Sequence, residues 1–271
     1  MVALRRISTI IGYEWRRALA QKKVLALIVV TIAFQTLVMV VAYELYQSVG
    51  TAFLGSDQGF AWVFGVLQGQ SFFVQLIAIV IAGGSMSEEY EHGTADLLLS
   101  KPITRVEYLL GKFLGGFFLL AIVGALITFA DVILSLGFFG AQSGLQFAPL
   151  LFLAIVYASL IFFCLSFMFS EVFRGTTLAI LLAFTILIAS SIISPILDFL
   201  YGISSRALPT WAATSFPSFL MSELITARNI LPASDPGALA QAALIIAVYA
   251  IVSILIAAYR LLTSDVTKKR A

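Results

Sequence analysis

Residues 109–134 read LLGKFLGGFFLLAIVGALITFADVIL, and stretches of this kind decide the fold. Only Lys112 and Asp131 are charged in these residues, and the apolar residues do not alternate with polar ones. A helix needs about 20 apolar residues to cross a hydrocarbon core of roughly 30 Å, whereas a barrel strand alternates over roughly ten. The stretch therefore predicts a membrane-spanning helix.

Five other segments have the same character, so the chain is predicted to be an all-α membrane protein. The six spans are expected at about 24–43, 60–84, 109–134, 147–169, 176–200 and 239–261. The composition agrees, because 61% of residues are hydrophobic and 11% are charged, against about 45–50% and 25% in a soluble domain. We divide the chain into an interfacial helix (1–23), a six-span domain (24–262) and a basic tail (263–271).

The chain has one cysteine, Cys164, and one histidine, His92. A disulfide within one chain is thereby excluded, and a zinc or haem site needs more such ligands than this chain has. His92 stands beside a predicted helix end without a nucleophile at motif spacing, so a solvated histidine is expected there rather than a catalytic base. We expect no cofactor or metal on this chain.

Basic residues are distributed unevenly among the predicted loops. Of the 16 lysines and arginines, 14 fall at the termini and in the second and fourth loops, while Arg206 and Arg228 fall on the other side. The positive-inside rule then places both termini in the cytoplasm. The expected location is the cell membrane, with lipid as a partner and no nucleic acid.

The first 23 residues predict an amphipathic helix lying on the inner leaflet. One face would carry Leu4, Ile7, Ile11, Trp15, Ala18 and Leu19, and the opposite face Arg5, Arg6, Arg16, Arg17 and Lys23. These basic residues could bind lipid phosphates or a cytoplasmic partner. The alternative is a helix that serves only as a topology anchor.

The cytoplasmic loop between the second and third spans has unusually complete helix signals. Gly93 is expected to end the helix that descends from the second span, and the Thr94 hydroxyl to cap a short helix over 95–100 that Pro102 ends. Thr104 and Glu107 have the spacing of a capping box for the next helix. Leucines 97–99 would then stand on a one-turn helix outside the membrane, and such side chains need lipid, neighbouring helices or another protein to cover them.

This loop resembles that of type-2 ATP-binding-cassette (ABC) transporter permeases, including the subgroup with nitrous-oxide-reductase maturation and gliding-motility permeases. The residues that carry the likeness are Glu88, Glu89, Glu91, Gly93, Thr94, Asp96, Leu97, Leu98, Leu99, Ser100, Pro102 and Arg105, followed by Leu109-Leu110-Gly111-Lys112. The resemblance implies that Glu88, Glu89, Glu91, Gly93, Thr94, Asp96, Leu97, Leu98, Leu99, Pro102 and Arg105 dock a coupling helix on a separate ATP-binding subunit. It further implies two such subunits, a second permease that is identical or homologous, and transport in the export direction.

No phosphate-binding G-x-x-x-x-G-K-[ST] motif occurs in the sequence, and the nearest glycine-lysine pair is Gly111-Lys112. This chain is therefore not expected to cradle a nucleotide. ATP and magnesium would be bound by the partner ATPase.

Polar residues within the spans are candidates for function because each is costly in lipid. Gln68, Ser71 and Gln75 share a face of the second span and could line a translocation path, although hydrogen bonding between helices is the simpler interpretation. Asp131 is expected near interfacial water. Glu171 and Arg174 are expected to form a local pair or a second ATPase contact.

Small residues predict where helices approach closely in lipid. Gly111, Gly115, Gly116 and Gly124 favour such packing of the third span. In the fifth span Ala179, Ala183, Ser190 and Ser194 form a stripe that we assign to the dimer face, the alternative being packing within the chain. Before the last span, residues 201–238 are expected to contain a short extracellular or re-entrant helix over 218–230.

The sequence as a whole thus favours a non-catalytic permease subunit of an ATP-driven exporter. A membrane enzyme is the first alternative, but the spans show no paired aspartates, HExxH or serine with a histidine base. A passive channel or assembly scaffold is the second. Neither alternative accounts for three leucines displayed in the cytoplasm.

Overall fold

The computed structural model describes residues 2–20, 22–49, 55–70, 72–94, 103–201, 205–225, 227, 230–233 and 235–263. These residues form helices and turns, with no strand among them. The α-helices are α1 (Val2–Ala20), α2 (Lys22–Val49), α3 (Ala61–Gln70), α4 (Phe73–Glu91), α5 (Arg105–Phe139), α6 (Ala148–Phe173), α7 (Thr176–Tyr201), α8 (Pro209–Leu224) and α9 (Pro236–Thr263). Short 3₁₀ helices precede α3, α6 and α8.

Among the described residues, six helical segments are long and apolar enough to cross a membrane, which confirms the predicted number. They are Lys22–Ser48, Asp57–Glu91, Arg105–Phe139, Leu145–Phe173, Thr176–Leu197 and Pro236–Thr263. The second span differs from the continuous helix predicted over 60–84. It consists of α3 and α4, and the helix is interrupted between Gln70 and Phe73.

The helix α6 lies at the centre of the bundle. In its most apolar window 72% of the residues are buried, against 22% in α2 and 17% in α7. Phe162, Phe163 and Phe167 of α6 are fully buried, and rings of Phe113 and Phe117 in α5 stack edge-on against Phe163. The outer helices α2, α7 and α9 leave broad apolar faces uncovered, as expected for helices that face lipid.

The helix α1 packs along the first turns of α5, where glycines allow close approach. A Cβ atom at position 111 would lie 2.8 Å from the Ile10 side chain, and one at position 115 would lie 2.8 Å from Glu14. The Trp15 indole N–H donates to the Gly115 carbonyl at 3.0 Å. The predicted close packing at Gly111 and Gly115 is confirmed, and its partner is α1.

A helix before the last span is confirmed, but its bounds differ from the predicted 218–230. The helix α8 begins at Pro209, whose missing N–H costs nothing in a first turn, and continues through Pro217 to Leu224. Near its start, Thr210 hydrogen-bonds to Ser190, which lies 11 residues before the end of α7. Since 11 residues rise about 16 Å along a helix, α8 starts well inside the bundle. Its extracellular or re-entrant placement in the membrane stays a prediction.

The two ends of the bundle are distinct. One end, called the basic end below, carries α1, the loop 92–104, the turn 174–175 and the end of α9. At the opposite end the Trp62 indole N–H donates to the Ser143 carbonyl at 2.8 Å. The side chain of Ile225, just after α8, lies beside Gly144 at the same end.

Candidate functional site

The loop at the basic end begins and ends where the sequence predicts. The helix α4 ends at Glu91, and Gly93 adopts φ 66°, a left-handed conformation that glycine takes without strain. His92 is exposed at this helix end, as predicted, and its Nδ1 lies 2.7 Å from the Glu88 carbonyl oxygen.

The capping box at the start of α5 is confirmed. The Thr104 hydroxyl accepts from the Glu107 N–H at 3.2 Å, and the Glu107 carboxylate accepts from the Thr104 N–H at 2.9 Å. Two of the free N–H groups at the start of this helix are thereby satisfied. The loop therefore enters α5 in a fixed direction.

The middle of the loop lies outside the described residues. It contains Asp96, Leu97, Leu98, Leu99 and Pro102. The short coupling helix over 95–100 and the docking role of these residues therefore stay predictions.

Four charged side chains meet where α1, α4 and α5 come together, and we call Glu14, Arg17, Glu89 and Lys112 the buried charge cluster. The Lys112 ammonium donates to the carboxylates of both Glu14 and Glu89. Lys112 is 0% exposed, Glu89 2% and Glu14 3%. Arg17 donates to Glu14 at 2.7 Å and to the Gly84 carbonyl at 2.7 Å. The cluster holds two positive and two negative charges and joins α1, α4 and α5.

Several side chains surround this cluster. Glu88 is paired with Arg17 at 3.3 Å and with Lys23 at 2.8 Å. The Thr94 hydroxyl donates to the Glu89 carboxylate at 3.1 Å. Tyr13 borders the cluster, where partial burial and the Glu89 carboxylate raise the pKa of its phenol.

The cluster corrects two predictions. Glu89 was expected on a docking surface, but its carboxylate is buried because it neutralises Lys112 within the chain. Arg17 was expected on the polar face of α1, directed at lipid or a partner, whereas it turns inward to Glu14 and the end of α4. Arg16, its neighbour, is exposed as predicted.

Two further residues of the motif connect the loop to other spans. The Glu91 carboxylate accepts from the N–H of Thr176 at 2.7 Å and from its hydroxyl at 2.9 Å, so it stabilises the start of α7. Arg105 donates to the carbonyls of Leu261 and Leu262 at 2.8 and 3.1 Å, where α9 ends. These contacts lie within the chain, and docking by Glu88, Glu91, Thr94 and Arg105 stays a prediction.

The turn between α6 and α7 contains the predicted Glu171–Arg174 pair. The Arg174 guanidinium lies 3.7 Å from the Glu171 carboxylate. The sequence did not reveal Tyr90, whose hydroxyl donates to Glu171 at 2.8 Å and whose ring centre lies 4.6 Å from the guanidinium.

The polar residues of the second span do not lie on one continuous helical face. Gln68 is exposed on α3, Gln75 is 1% exposed on α4, and Ser71 lies outside the described residues at the interruption. Gln75 faces α6 and α8. A translocation path along these three residues stays a prediction.

Asp131 differs from its predicted place near water. It is 0% exposed, and its carboxylate accepts from the Gln35 amide of α2. Sequence reasoning missed Gln35 as its partner. The polar side chain of Gln35 in an otherwise apolar span was the available signal.

The predicted dimer face on α7 is wrong for its buried members. Ala179 and Ala183 are 0% exposed and Ser190 is 5% exposed, because they pack inside the chain. Ser194 is half-buried. The exposed side of α7 carries larger residues, including Leu181 and Ile192.

Sequence reasoning also missed Glu14 and Lys112 as functional partners. Glu14 is the single acid within residues 1–20, and Lys112 stands in an apolar span. A lone buried charge of either sign predicts an oppositely charged neighbour, but the pairing across 98 residues needed the structure.

The fold and the site together define a multi-span helical membrane protein whose basic-end loop is anchored to four of its spans. The sequence matches the family described as ABC-2 family transporter protein over residues 8–266. This chain therefore belongs to that family and is a permease subunit of an ABC transporter. A comparison with curated proteins finds no match. The likeness to the nitrous-oxide-reductase maturation and gliding-motility subgroup stays a prediction.

Proposed function

We propose that this permease is the membrane-spanning part of an ATP-driven exporter in which a separate ATP-binding subunit pushes on the loop around 94–102. Two ATP-binding subunits and a second permease, identical or homologous, complete the transporter. The basic end and both termini face the cytoplasm of the cell, in accordance with the distribution of lysine and arginine.

The anchoring of the loop is the observation that supports this coupling best. Before the loop, Glu89 is bound to Lys112 of α5 and Glu91 to the start of α7. After the loop, Arg105 is bound to the end of α9. A force applied to the loop would therefore reach α4, α5, α7 and α9 through the short polar contacts made at its two ends. Two arrangements of these rigid helices, biased by nucleotide, would give alternating access.

A charged residue introduced among leucines 97–99 tests the proposed docking. Leu98→Asp would place an unpaired charge in an apolar cleft of the partner. Ser100→Asp is the matched control, since it adds the same charge at a polar position nearby. The tagged wild-type chain is first purified with its ATP-binding subunit. That subunit is identified by mass spectrometry as the protein whose sequence contains a phosphate-binding motif, and it is then co-expressed with each variant.

We expect Leu98→Asp to lose the ATP-binding subunit while its own thermal unfolding midpoint stays that of the wild type. Ser100→Asp should retain the subunit. Retention by both variants would contradict docking through the leucines. A lowered unfolding midpoint for Leu98→Asp alone would show instead that the leucine packs against this chain or lipid.

A further inference from the structure

A small cavity lies inside the bundle where α4, α6 and α8 meet. The helix α4 contributes Gln75 to its lining, α6 contributes Ile155 and Ala158, and α8 contributes Ala213, Thr214 and Pro217. The cavity has a volume of about 10 Å³ for the centre of a water-sized sphere. Roughly 10–15 Å³ by this measure is what one water molecule needs.

The Gln75 side chain brings an unsatisfied acceptor to this cavity. Gln75 is 1% exposed, and its Oε1 atom has no hydrogen-bond partner among the described residues. A buried amide oxygen without a donor is costly in an apolar environment. The side chain therefore needs a donor that the described residues do not supply.

The helix α8 brings a second acceptor to the same cavity. Pro217 lies inside this helix and has no N–H to donate to the carbonyl of Ala213, four residues earlier. The neighbouring Thr214 hydroxyl donates to the Thr210 carbonyl at 3.0 Å, which leaves its lone pairs for the cavity. The residues that line the cavity thus carry candidate acceptors on both α4 and α8.

We propose that this cavity binds one water molecule, which donates one hydrogen to Gln75 Oε1 and the other to the Ala213 carbonyl. Two acceptors and the volume of one water define a site for a small hydrogen-bond donor, and they disfavour an anion. Ordered water is one of the means by which backbone groups freed at prolines of membrane helices are satisfied. The bound water thereby connects the second span to α8 through exchangeable hydrogen bonds.

A double-mutant cycle tests the shared water. In the otherwise wild-type chain, Gln75→Leu removes one of the two acceptors that hold the water. Loss of the water leaves the Ala213 carbonyl without a donor, so the unfolding midpoint should fall by about 3 °C or more. Pro217→Ala restores the N–H to that carbonyl. In the Pro217→Ala background, Gln75→Leu should therefore change the midpoint by no more than about 1 °C.

Pro195→Ala is the matched background, because Pro195 also lies inside a membrane helix but away from the cavity. Gln75→Leu should cost as much there as in the wild type. Equal costs of Gln75→Leu in all three backgrounds would overturn the shared site.

Direct observation keeps the test independent of how the variants fold. A map of the unaltered protein at a resolution that shows other buried waters should contain density within hydrogen-bonding distance of Gln75 Oε1 and the Ala213 carbonyl oxygen. An empty cavity in such a map would overturn the proposal.

Discussion

Replacement of Lys112 by methionine would break the buried charge cluster at its centre. Lys112 contacts the carboxylates of both Glu14 and Glu89 and is 0% exposed. In Lys112→Met, Glu14 keeps its bond to Arg17, while Glu89 keeps the hydroxyl of Thr94. Glu89 is therefore the buried carboxylate that is left without a positively charged partner.

The magnitude follows from the loss of one partner in a buried ion pair, which typically costs about 3–5 kcal/mol. At roughly 2–4 °C for each kcal/mol in a chain of this size, the unfolding midpoint should fall by about 10 °C. A substitution that removes the orphaned charge should recover most of this loss. The double variant Lys112→Met, Glu89→Gln is therefore expected to unfold within a few degrees of the wild type.

Thermal unfolding of the purified chain in one detergent, followed by intrinsic tryptophan fluorescence, measures these effects. Lys22→Met is the matched control, since Lys22 is exposed at the start of α2. The reasoning would be refuted if Lys112→Met lowered the midpoint no further than Lys22→Met. It would also be refuted if Glu89→Gln failed to restore stability to the Lys112→Met variant.

Three further outcomes follow from the packing and caps. Gly115→Ala should lower the unfolding midpoint by displacing α1, whereas Gly137→Ala, whose added Cβ meets nothing within 4 Å, should leave it unchanged or raise it slightly; equal effects would argue against the close approach. Thr104→Ala should cost about 1 kcal/mol in unfolding free energy through the lost cap, measured by denaturant titration, and a cost near zero would contradict the cap. In a Cys164→Ser background, Ala183→Cys should form no crosslink between chains, since it is buried; an efficient interchain crosslink would restore it to the dimer face.

The sequence predicted the membrane-spanning fold well because the physical signal is local. Twenty apolar residues have few alternatives to a membrane helix, and the six predicted spans overlap the six observed ones. The helix stop at Gly93 and the cap at Thr104 were also predictable, since the φ of one residue and a three-residue spacing decide them. The bounds of α8 were not, because the helix predicted over 218–230 begins only after Pro217, although prolines are tolerated inside membrane helices.

The positions of charged and small side chains depended on contacts that are distant in sequence. Glu89 and Arg17 have neighbours in the chain that suggest surface positions, but Glu89 of α4 binds Lys112 of α5, and Arg17 of α1 binds Glu14. The small residues of α7 indicate close packing, but the pattern does not indicate which surface they pack against. In the structure Ala183 packs inside the chain. Sequence alone determined that this is a six-span helical membrane protein and where the helices that flank its basic-end loop end and begin, because hydrophobicity and helix caps act locally. Only the tertiary structure decided which charges are paired and which faces are covered, because burial depends on helices that approach from elsewhere in the chain.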